Sequence, residues 1–295
     1  MTVFNSTAGL SVPPSAELGW QGAARLTYDR VGPKTRLASV WHQAPLKIQR
    51  PFYPESESIC HTVLIHTAGG MVAGDRLDYQ VTLGADAHAV LTTAAASKVY
   101  GTAKPRSQRT LSQQTLTFDL AAGACLEWLP QETIVFDQAQ LLQCARVNLA
   151  EGAKWLGWDI YRLGRTARGE RFRQGQWRSR TEVWQAGKPL WIDRQWLPGG
   201  ELLSHPHCLK DYPVIGTLAW LGQSLEPEFI QSLRMLATDA GVLGETGVTR
   251  LQQGCLCRYR GPSTAEVRQW FTQVWHHVRS YALGQPACSM RIWQL

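Results

Sequence analysis

The sequence lacks any long hydrophobic run. Its 295 residues contain no stretch of about 18 or more uncharged, mainly apolar residues, the length that a membrane-spanning helix needs. Residues 1–15 carry no charge, but they are too polar and lack the basic flank of a signal peptide. We therefore expect a cytoplasmic protein that makes no membrane contact, with residues 1–18 as a flexible leader.

The sequence also lacks the paired cysteines of a secreted or zinc-binding domain. The cysteines number seven, and none forms a Cys-x-x-Cys pair, which argues against a disulfide framework and against a zinc ribbon. Free, mostly buried thiols are expected instead. The closest pair, Cys255 and Cys257, would lie on one face of a strand without other ligands, so we interpret it as structural.

The motifs of several enzyme classes are missing. There is no Gly-x-Ser-x-Gly elbow, no His-Glu-x-x-His pair, no Walker loop and no dinucleotide fingerprint. One enzymatic alternative stays open, a β-rich carbohydrate-active hydrolase that uses carboxylates in residues 127–137 and stacks sugars on some of the 13 tryptophans. Because the tryptophans fall largely in strand and helix patterns typical of a core, we predict a protein that is not an enzyme.

Basic residues exceed acidic ones, with a formal net charge of +7 and a pI near 9.2. Such a charge favours acidic partners. Seven arginines lie between residues 162 and 180 and could bind phosphate groups, but no nucleic-acid motif accompanies them. We predict a protein-binding surface and no nucleic-acid partner.

Alternating polar and apolar residues predict a β-rich chain. In residues 76–83 every second side chain is apolar, the pattern of a half-buried strand. Further strands are predicted at 62–65, 88–93, 112–120, 144–149, 155–163, 181–185 and 189–196, with turn residues between most of them. The short spacing indicates mainly antiparallel structure in one domain over residues 19–295, whether a sandwich, a barrel or a solenoid.

Two helices are predicted towards the C-terminus. Residues 226–240 carry apolar side chains at three- and four-residue steps. Residues 263–283 start with a Ser263-x-x-Glu266 capping box, and Gly284 follows them. The apolar stripe of this second helix is expected to pack on the sheet and consists of Val267, Trp270, Phe271, Val274, Val278 and Tyr281.

Acidic residues stand out in residues 126–137, where Glu127, Glu132 and Asp137 lie among residues typical of a core. Buried carboxylates are costly unless they are paired or bound to a cation. Their partners are therefore either Arg and Lys from the basic strands or a metal ion in transit.

Five segments together resemble the UreD family, called UreH in some organisms. They are the glycine-rich loop 66–77, the segment 92–100, the acidic segment 126–137, the turn 163–172 and the C-terminal residues 290–295. The residues that match the family's motifs outside the acidic segment are Gly69, Gly70, Gly74, Asp75, Arg76, Leu77, Lys98, Val99, Tyr100, Gly164, Arg165, Gly169, Glu170, Phe172, Arg291, Ile292 and Trp293.

The resemblance implies a β-helix-like fold with two α-helices. It also implies a urease accessory protein that joins UreF, the GTPase UreG and apo-urease, and that assists nickel delivery without a permanently bound cofactor. A water-filled passage inside such proteins has been proposed as the nickel route. By this resemblance, candidates for its lining or loop supports are Asp75, Glu127, Glu132, Asp137 and Glu170.

Softer metal ligands also occur. His205, His207 and Cys208 lie in a predicted turn, and His276 and His277 lie side by side on the second helix. A transfer protein needs weak, exchangeable oxygen ligands, since a multi-histidine or thiolate site would hold nickel too tightly. We therefore leave these five residues out of the predicted nickel contacts.

Overall fold

The computed structural model describes residues 19–102 and 111–294. The predicted leader, residues 1–18, lies outside the described residues. Within them the strands β1 to β17 are, in chain order, Gln21–Val31, Lys34–Gln43, Leu46–Ile48, Ile59–His66, Arg76–Leu83, His88–Thr93, Ser97–Val99, Ser112–Leu120, Cys125–Trp128, Thr133–Val135, Gln140–Leu149, Lys154–Leu163, Gln176–Gln185, Lys188–Pro198, Val214–Leu221, Glu245–Leu251 and Gly254–Gly261. The helices are α1, Pro227–Asp239, and α2, Thr264–Val278.

The strands form two sheets. The first has the order β14-β13-β11-β8-β5-β1-β2, and the second has the order β16-β17-β15-β12-β9-β6-β4-β3 with β7 and β10 attached beside β12. From β4 to β13 the chain passes back and forth between the sheets, so that each coil adds one strand to both. This arrangement confirms the predicted β-helix-like, β-rich fold with two late helices.

The prediction of mainly antiparallel structure is wrong for the centre of both sheets. Strands β1, β5, β8, β11 and β13 pair in parallel, as do β4, β6, β9 and β12. Antiparallel pairs occur at the ends, for example β13 with β14 and β15 with β17. Alternation of side chains has the same period in both kinds of pairing, so the pattern does not distinguish them.

Alternate residues of the second sheet supply two separate cores. On β12, Trp155 and Tyr161 face the first sheet and join the core between the sheets. Their neighbours Trp158 and Ile160 face the other way and pack with the two helices. Both faces of this strand are therefore buried, which is usual for parallel strands.

Helix α2 covers the outer face of the second sheet. Five residues of the predicted stripe, from Val267 to Val278, have no exposed surface. Tyr281 corrects the prediction, because it is 47% exposed and stacks on Phe229 with ring centroids 4.0 Å apart. The α-helical repeat ends at Val278 and a π-turn, Arg279–Leu283, follows, so the three- and four-residue spacing no longer applies.

The capping box at the start of α2 is half formed. Ser263 Oγ accepts a hydrogen bond from the Glu266 backbone N–H at 3.3 Å, as expected for an N-cap. The Glu266 carboxylate instead accepts from the N–H groups of Leu243 and Gly244 and from the Tyr259 hydroxyl. Glu266 therefore joins α2 to the segment between α1 and β16.

The cysteines agree with the prediction of free thiols. All seven are free, and five of them, including Cys255 and Cys257, are buried. Among the described residues, no helix is both long and apolar enough to cross a membrane.

Candidate functional site

Four of the motif segments lie side by side at one edge of the coil. The short strand β7 pairs in parallel with β10, and β10 pairs in parallel with the end of β12. Met71, in the glycine-rich loop, forms a further bridge to Val99. We call this row, made of residues 69–75, 97–101, 132–137 and 163–173, the motif edge.

The glycine-rich loop packs tightly at the motif edge. Met71 donates its N–H to the Lys98 carbonyl at 2.7 Å, and a Cβ on Gly70 would lie 2.6 Å from the Tyr100 ring. Asp75, which is 4% exposed, accepts one backbone hydrogen bond from Trp20 and one from Val72, both at 2.8 Å. The Asp75 carboxylate therefore fixes the conformation of this loop.

Asp137 and Glu170 are neighbours at the motif edge. The Asp137 N–H donates to Glu170 Oε1 at 3.2 Å, and Asp137 Oδ1 accepts from the N–H groups of Arg173 and Gln174 at 2.7 and 2.8 Å. Glu170 also accepts from Arg165 Nε at 2.9 Å, and these hydrogen bonds hold the Glu170 pKa below its usual value. Both carboxylates thus hold the loop after β12 against the acidic segment.

Aromatic rings connect these groups to the glycine-rich loop. The Arg165 guanidinium lies 4.5 Å from the centroid of Phe136, and the Tyr100 ring packs edge-on against Phe136 at 4.8 Å. Tyr100 also donates its hydroxyl to the Gly69 carbonyl at 3.4 Å. The motif residues therefore contact one another across all four segments of the motif edge.

A cavity of about 760 Å³ lies beside the motif edge. Its lining includes Leu163, Glu170 and Arg173 from that edge, and Glu201 and Tyr212 from the segment before β15. Glu170 is the only one of the five predicted nickel contacts that lines it.

Glu132 is held at the motif edge by helix α2. Its carboxylate accepts a hydrogen bond from the Arg268 guanidinium, and its backbone carbonyl accepts from the Ser97 N–H at 2.9 Å. Arg268 and Glu132 are both partly exposed, with 26% and 17% of their side-chain surface accessible.

Glu127 lies away from the motif edge, inside the protein. It has no exposed surface and accepts hydrogen bonds from His88 at 2.6 Å and from the Trp275 indole N–H. Arg279 Nε lies 3.2 Å from its second oxygen, and the Arg279 Nη2 group donates to Glu55 at 2.6 Å. We call these residues the buried charge network: Glu55, His61, His88, Glu127, Trp275 and Arg279.

Mutual neutralisation sets the pKa values in the buried charge network. Burial raises the pKa of Glu127, but His88 and Arg279 outweigh burial and hold it below its usual value. Burial likewise opposes ionisation of Glu55, yet hydrogen bonds from His61 and Arg279 lower its pKa to about 2. These acids are therefore ionised and paired inside the protein.

The structure brings four of the five predicted nickel contacts to one edge and leaves Glu127 apart. Each of the five accepts hydrogen bonds from the protein itself. The arginines that bind them come from α2, its π-turn and the loop after β12, whereas Arg178 and Arg180 of β13 lie exposed on the outer face of the first sheet. A role in nickel transfer stays a prediction for all five.

Sequence reasoning missed the basic half of the buried charge network. Glu55 and Arg279 are 224 residues apart, and no local pattern links them. The one signal was Glu127 itself, a carboxylate in an apolar run that required a partner.

Glu55, His61 and Cys288 form a cluster whose donor atoms lie within 4.8 Å of one another. Oxygen, imidazole nitrogen and sulfur together suit a borderline metal. However, the Arg279 guanidinium already binds Glu55, so a second positive charge there would be repelled. We interpret the cluster as part of the buried charge network.

The other soft ligands do not converge. His205 and His207 are exposed with ring centroids 5.3 Å apart, and Cys208 is not part of any three-residue metal-type cluster in the described chain. His276 and His277 bond to different backbone carbonyls.

The C-terminal motif is anchored by its aromatic residue. Trp293 donates its indole N–H to Thr92 at 3.3 Å and packs against Trp158 and Trp275. Trp293 thus holds the C-terminal motif against β6, β12 and α2.

The sequence is similar to those of known proteins. The family described as UreD urease accessory protein matches residues 21–294. Similar proteins include the urease accessory proteins UreD of Nostoc sp. and of Acaryochloris marina, each 53% identical over 277 residues that cover 94% of this chain and 96% of the relative. UreD of Synechocystis sp. is 44% identical over 266 residues, covering 90% of this chain and 96% of the relative.

Proposed function

Because the chain belongs to the UreD urease accessory protein family, we propose that it is a non-catalytic scaffold for nickel delivery to urease. In this proposal it binds apo-urease and UreF in the cytoplasm, engages UreG through UreF, and assists GTP-dependent insertion of the metal. The observation that carries the proposal is the family match over residues 21–294, in which the motif residues contact one another along one edge.

The contacts at the motif edge support a transient role for its carboxylates. Asp137 uses only Oδ1 for its two backbone hydrogen bonds, and among the described residues no hydrogen bond reaches Oδ2. A carboxylate oxygen of this kind is a weak, exchangeable ligand for a divalent ion. We propose that nickel contacts Asp137 directly, and that Glu170, which lines the cavity, joins it only after its Oε2 leaves the Arg165 guanidinium.

The other three predicted contacts would act differently. Asp75 supports the glycine-rich loop, Glu132 binds Arg268 of α2, and Glu127 is enclosed in the buried charge network. We propose that they support the passage, and that any direct nickel contact would require them to leave these partners.

The hydrolase alternative has little structural support. Its acid and base would need to flank one open cleft, but Glu127 has no exposed surface and binds Trp275, while Glu132 is bound by Arg268. Most of the tryptophans that could have held a sugar are buried, and these are Trp128, Trp155, Trp158, Trp177, Trp220, Trp270 and Trp275. These positions favour a scaffold without catalytic activity.

An omission experiment tests the proposal. Purified apo-urease is mixed with UreF, UreG, GTP and nickel, with or without this chain, and urea hydrolysis is measured. The expected result is activation that depends on the chain, with no glycan hydrolysis by the chain alone. Equal activation without the chain would contradict the proposal.

A further inference from the structure

The outer face of the first sheet carries a group of exposed arginines. Both α-helices pack on the second sheet, so neither covers the outer side of β11, β13 and β14. On these three strands, the residues that alternate with the core between the sheets point outward. We call one group of these outward residues the arginine face, and it consists of Arg146, Arg178, Arg180, Trp184, Ile192, Arg194 and Trp196.

Positive charge is in excess on the arginine face. Strands β11, β13 and β14 are described in full, and the only acid among their outward residues is Glu182. It accepts hydrogen bonds from Arg180 at 2.6 Å and from Arg146 at 3.4 Å, and the bond from Arg180 holds the Glu182 pKa below its usual value. The other acid of these strands, Asp193, points inward and binds Arg258. The four arginines therefore share one carboxylate.

Two of these arginines have no carboxylate partner. Arg180 and Arg194 lie directly opposite each other on β13 and β14, where like charges destabilise a sheet. Arg180 binds Glu182, whereas Arg194 has no ion pair or side-chain hydrogen bond with any described residue. Arg178 likewise has no ion pair within the described chain, and its guanidinium lies 5.3 Å from the centroid of the Trp196 ring. Both guanidinium groups can therefore bind carboxylates from another molecule.

Large apolar side chains lie beside these charges. Trp196 is 61% exposed and Ile192 is 42% exposed, and they flank Arg194 on the same side of β14. Tryptophan and arginine are enriched at protein interfaces, while lysine is depleted there. The outward positions within 142–148, 178–184 and 192–196 hold no lysine. This composition favours a protein partner over a nucleic acid, whose phosphates bind lysine as well as arginine.

A second copy of this chain does not fit the arginine face. In a two-fold symmetric contact the same patch of both subunits meets, so arginines would face arginines. The partner surface must instead carry the opposite charge. Carboxylates suit this role, because the guanidinium group binds them through two parallel hydrogen bonds.

We propose that the arginine face is a docking surface for an acidic protein. Carboxylates of the partner bind Arg178 and Arg194, and an apolar side chain of the partner packs between Ile192 and Trp196. The inference goes beyond the proposed function and does not depend on nickel delivery.

Peptide binding to the full chain tests this surface. Fluorescence anisotropy at low salt follows a labelled peptide of Glu-Glu-Leu repeats, with a peptide of Gln-Gln-Leu repeats as the uncharged probe. The double variant Arg178→Glu, Arg194→Glu reverses the charge of the arginine face. The double variant Lys47→Glu, Arg50→Glu makes the same change in net charge at two exposed residues in and just after β3.

We expect the unchanged protein to bind the glutamate peptide more tightly than the glutamine peptide. Reversal at Arg178 and Arg194 should weaken binding of the glutamate peptide at least about tenfold, whereas reversal at Lys47 and Arg50 should have little effect. The Arg178→Glu, Arg194→Glu variant should also gain binding to a peptide of Lys-Lys-Leu repeats. Absence of binding to the glutamate peptide, or an equal loss in both double variants, would overturn the inference.

Two further measurements complete the test. Single-stranded oligouridine is the nucleic-acid probe, and tighter binding of oligouridine than of the glutamate peptide, lost on reversal at Arg178 and Arg194, would overturn a protein partner. Circular dichroism checks that the variants are folded. If they are not, photo-cross-linking of the glutamate peptide to the unchanged protein decides: attachment to β13 or β14 supports the surface, and attachment elsewhere overturns it. Urease activation is measured separately, so failure of the proposed function leaves these results unchanged.

Discussion

The guanidinium of Arg279 lies 3.2 Å from the carboxylate of Glu127, and neither side chain has any exposed surface. A buried ion pair of this kind adds little to stability compared with well-packed apolar residues. Removal of one partner, however, leaves an unpaired charge in a medium of low polarity. Glu55, bound to the same guanidinium, would then keep only His61 as an ion-pair partner among the described residues.

Arg279→Leu is therefore expected to lower the free energy of unfolding by about 3–5 kcal/mol, as measured by urea denaturation. Arg171→Leu is the matched control, because Arg171 pairs with Asp211 at the surface, where both side chains are more than half exposed. Arg171→Leu should lower the free energy of unfolding by less than about 1 kcal/mol. Similar losses in both variants would contradict a special role for the buried charge network.

Alkaline conditions should weaken the fold through His88. Burial lowers the pKa of His88, but Cys125 and Glu127 raise it by more, to about 10 in the folded protein. A raised pKa means that this contribution to stability is complete below about pH 6.5, the unfolded value, and is lost as the pH rises through 10. The free energy of unfolding should thus fall with pH in this range, by at most about 1.4 kcal/mol per pH unit.

Urea denaturation between pH 6 and pH 9.5 measures this slope. The variant His88→Gln keeps a hydrogen-bond donor but does not titrate, so its stability should depend less on pH. Parallel profiles for both proteins would show that His88 is not the titrating group.

The variant Asp137→Asn tests the charge of Asp137 separately from its role in holding the loop at the motif edge. Asparagine keeps an oxygen for the N–H groups of Arg173 and Gln174 but carries no charge. We expect unchanged thermal stability and complex formation together with a several-fold slower activation of urease. Activation at the unaltered rate would exclude Asp137 as a nickel contact.

Gly70→Ala is expected to destabilise the glycine-rich loop. Gly70 has φ +151°, and an added Cβ would lie 2.6 Å from Tyr100 and 2.8 Å from the Lys98 carbonyl. Gly69→Ala is the control, because φ is +72° and no atom lies within 4 Å of the added Cβ. Gly69→Ala should lower the free energy of unfolding by about 1–2 kcal/mol through backbone strain alone, and Gly70→Ala should lower it by clearly more. Thermal denaturation compares the two variants, and an equal cost would mean that the contact with Tyr100 is unimportant.

Many strands of the fold can be predicted from the sequence, because the signals that mark them are local. The strands Arg76–Leu83, His88–Thr93 and Ser112–Leu120 agree with their predicted limits, because side-chain alternation and turn residues mark both ends. No local signal marks the direction in which two strands pair. Whether two strands run in parallel depends on how the connection between them crosses to the other sheet.

The candidate site was predictable only in part. Tyr100, Phe136 and Arg165 were identified because they match the motifs of one family. In the structure these residues contact one another. The partner of Glu127 was not predictable, since Arg279 lies after a helix whose apolar stripe gave no sign of a buried cation.

The late position of Arg279 and Trp293 in the chain has a consequence for biosynthesis. Strands β4, β6 and β9 leave the ribosome long before the residues that neutralise Glu55 and Glu127 and that bind Thr92. A nascent chain that ends before residue 279 holds these acids without their guanidinium. The pairing of these buried acids therefore waits until translation is nearly complete.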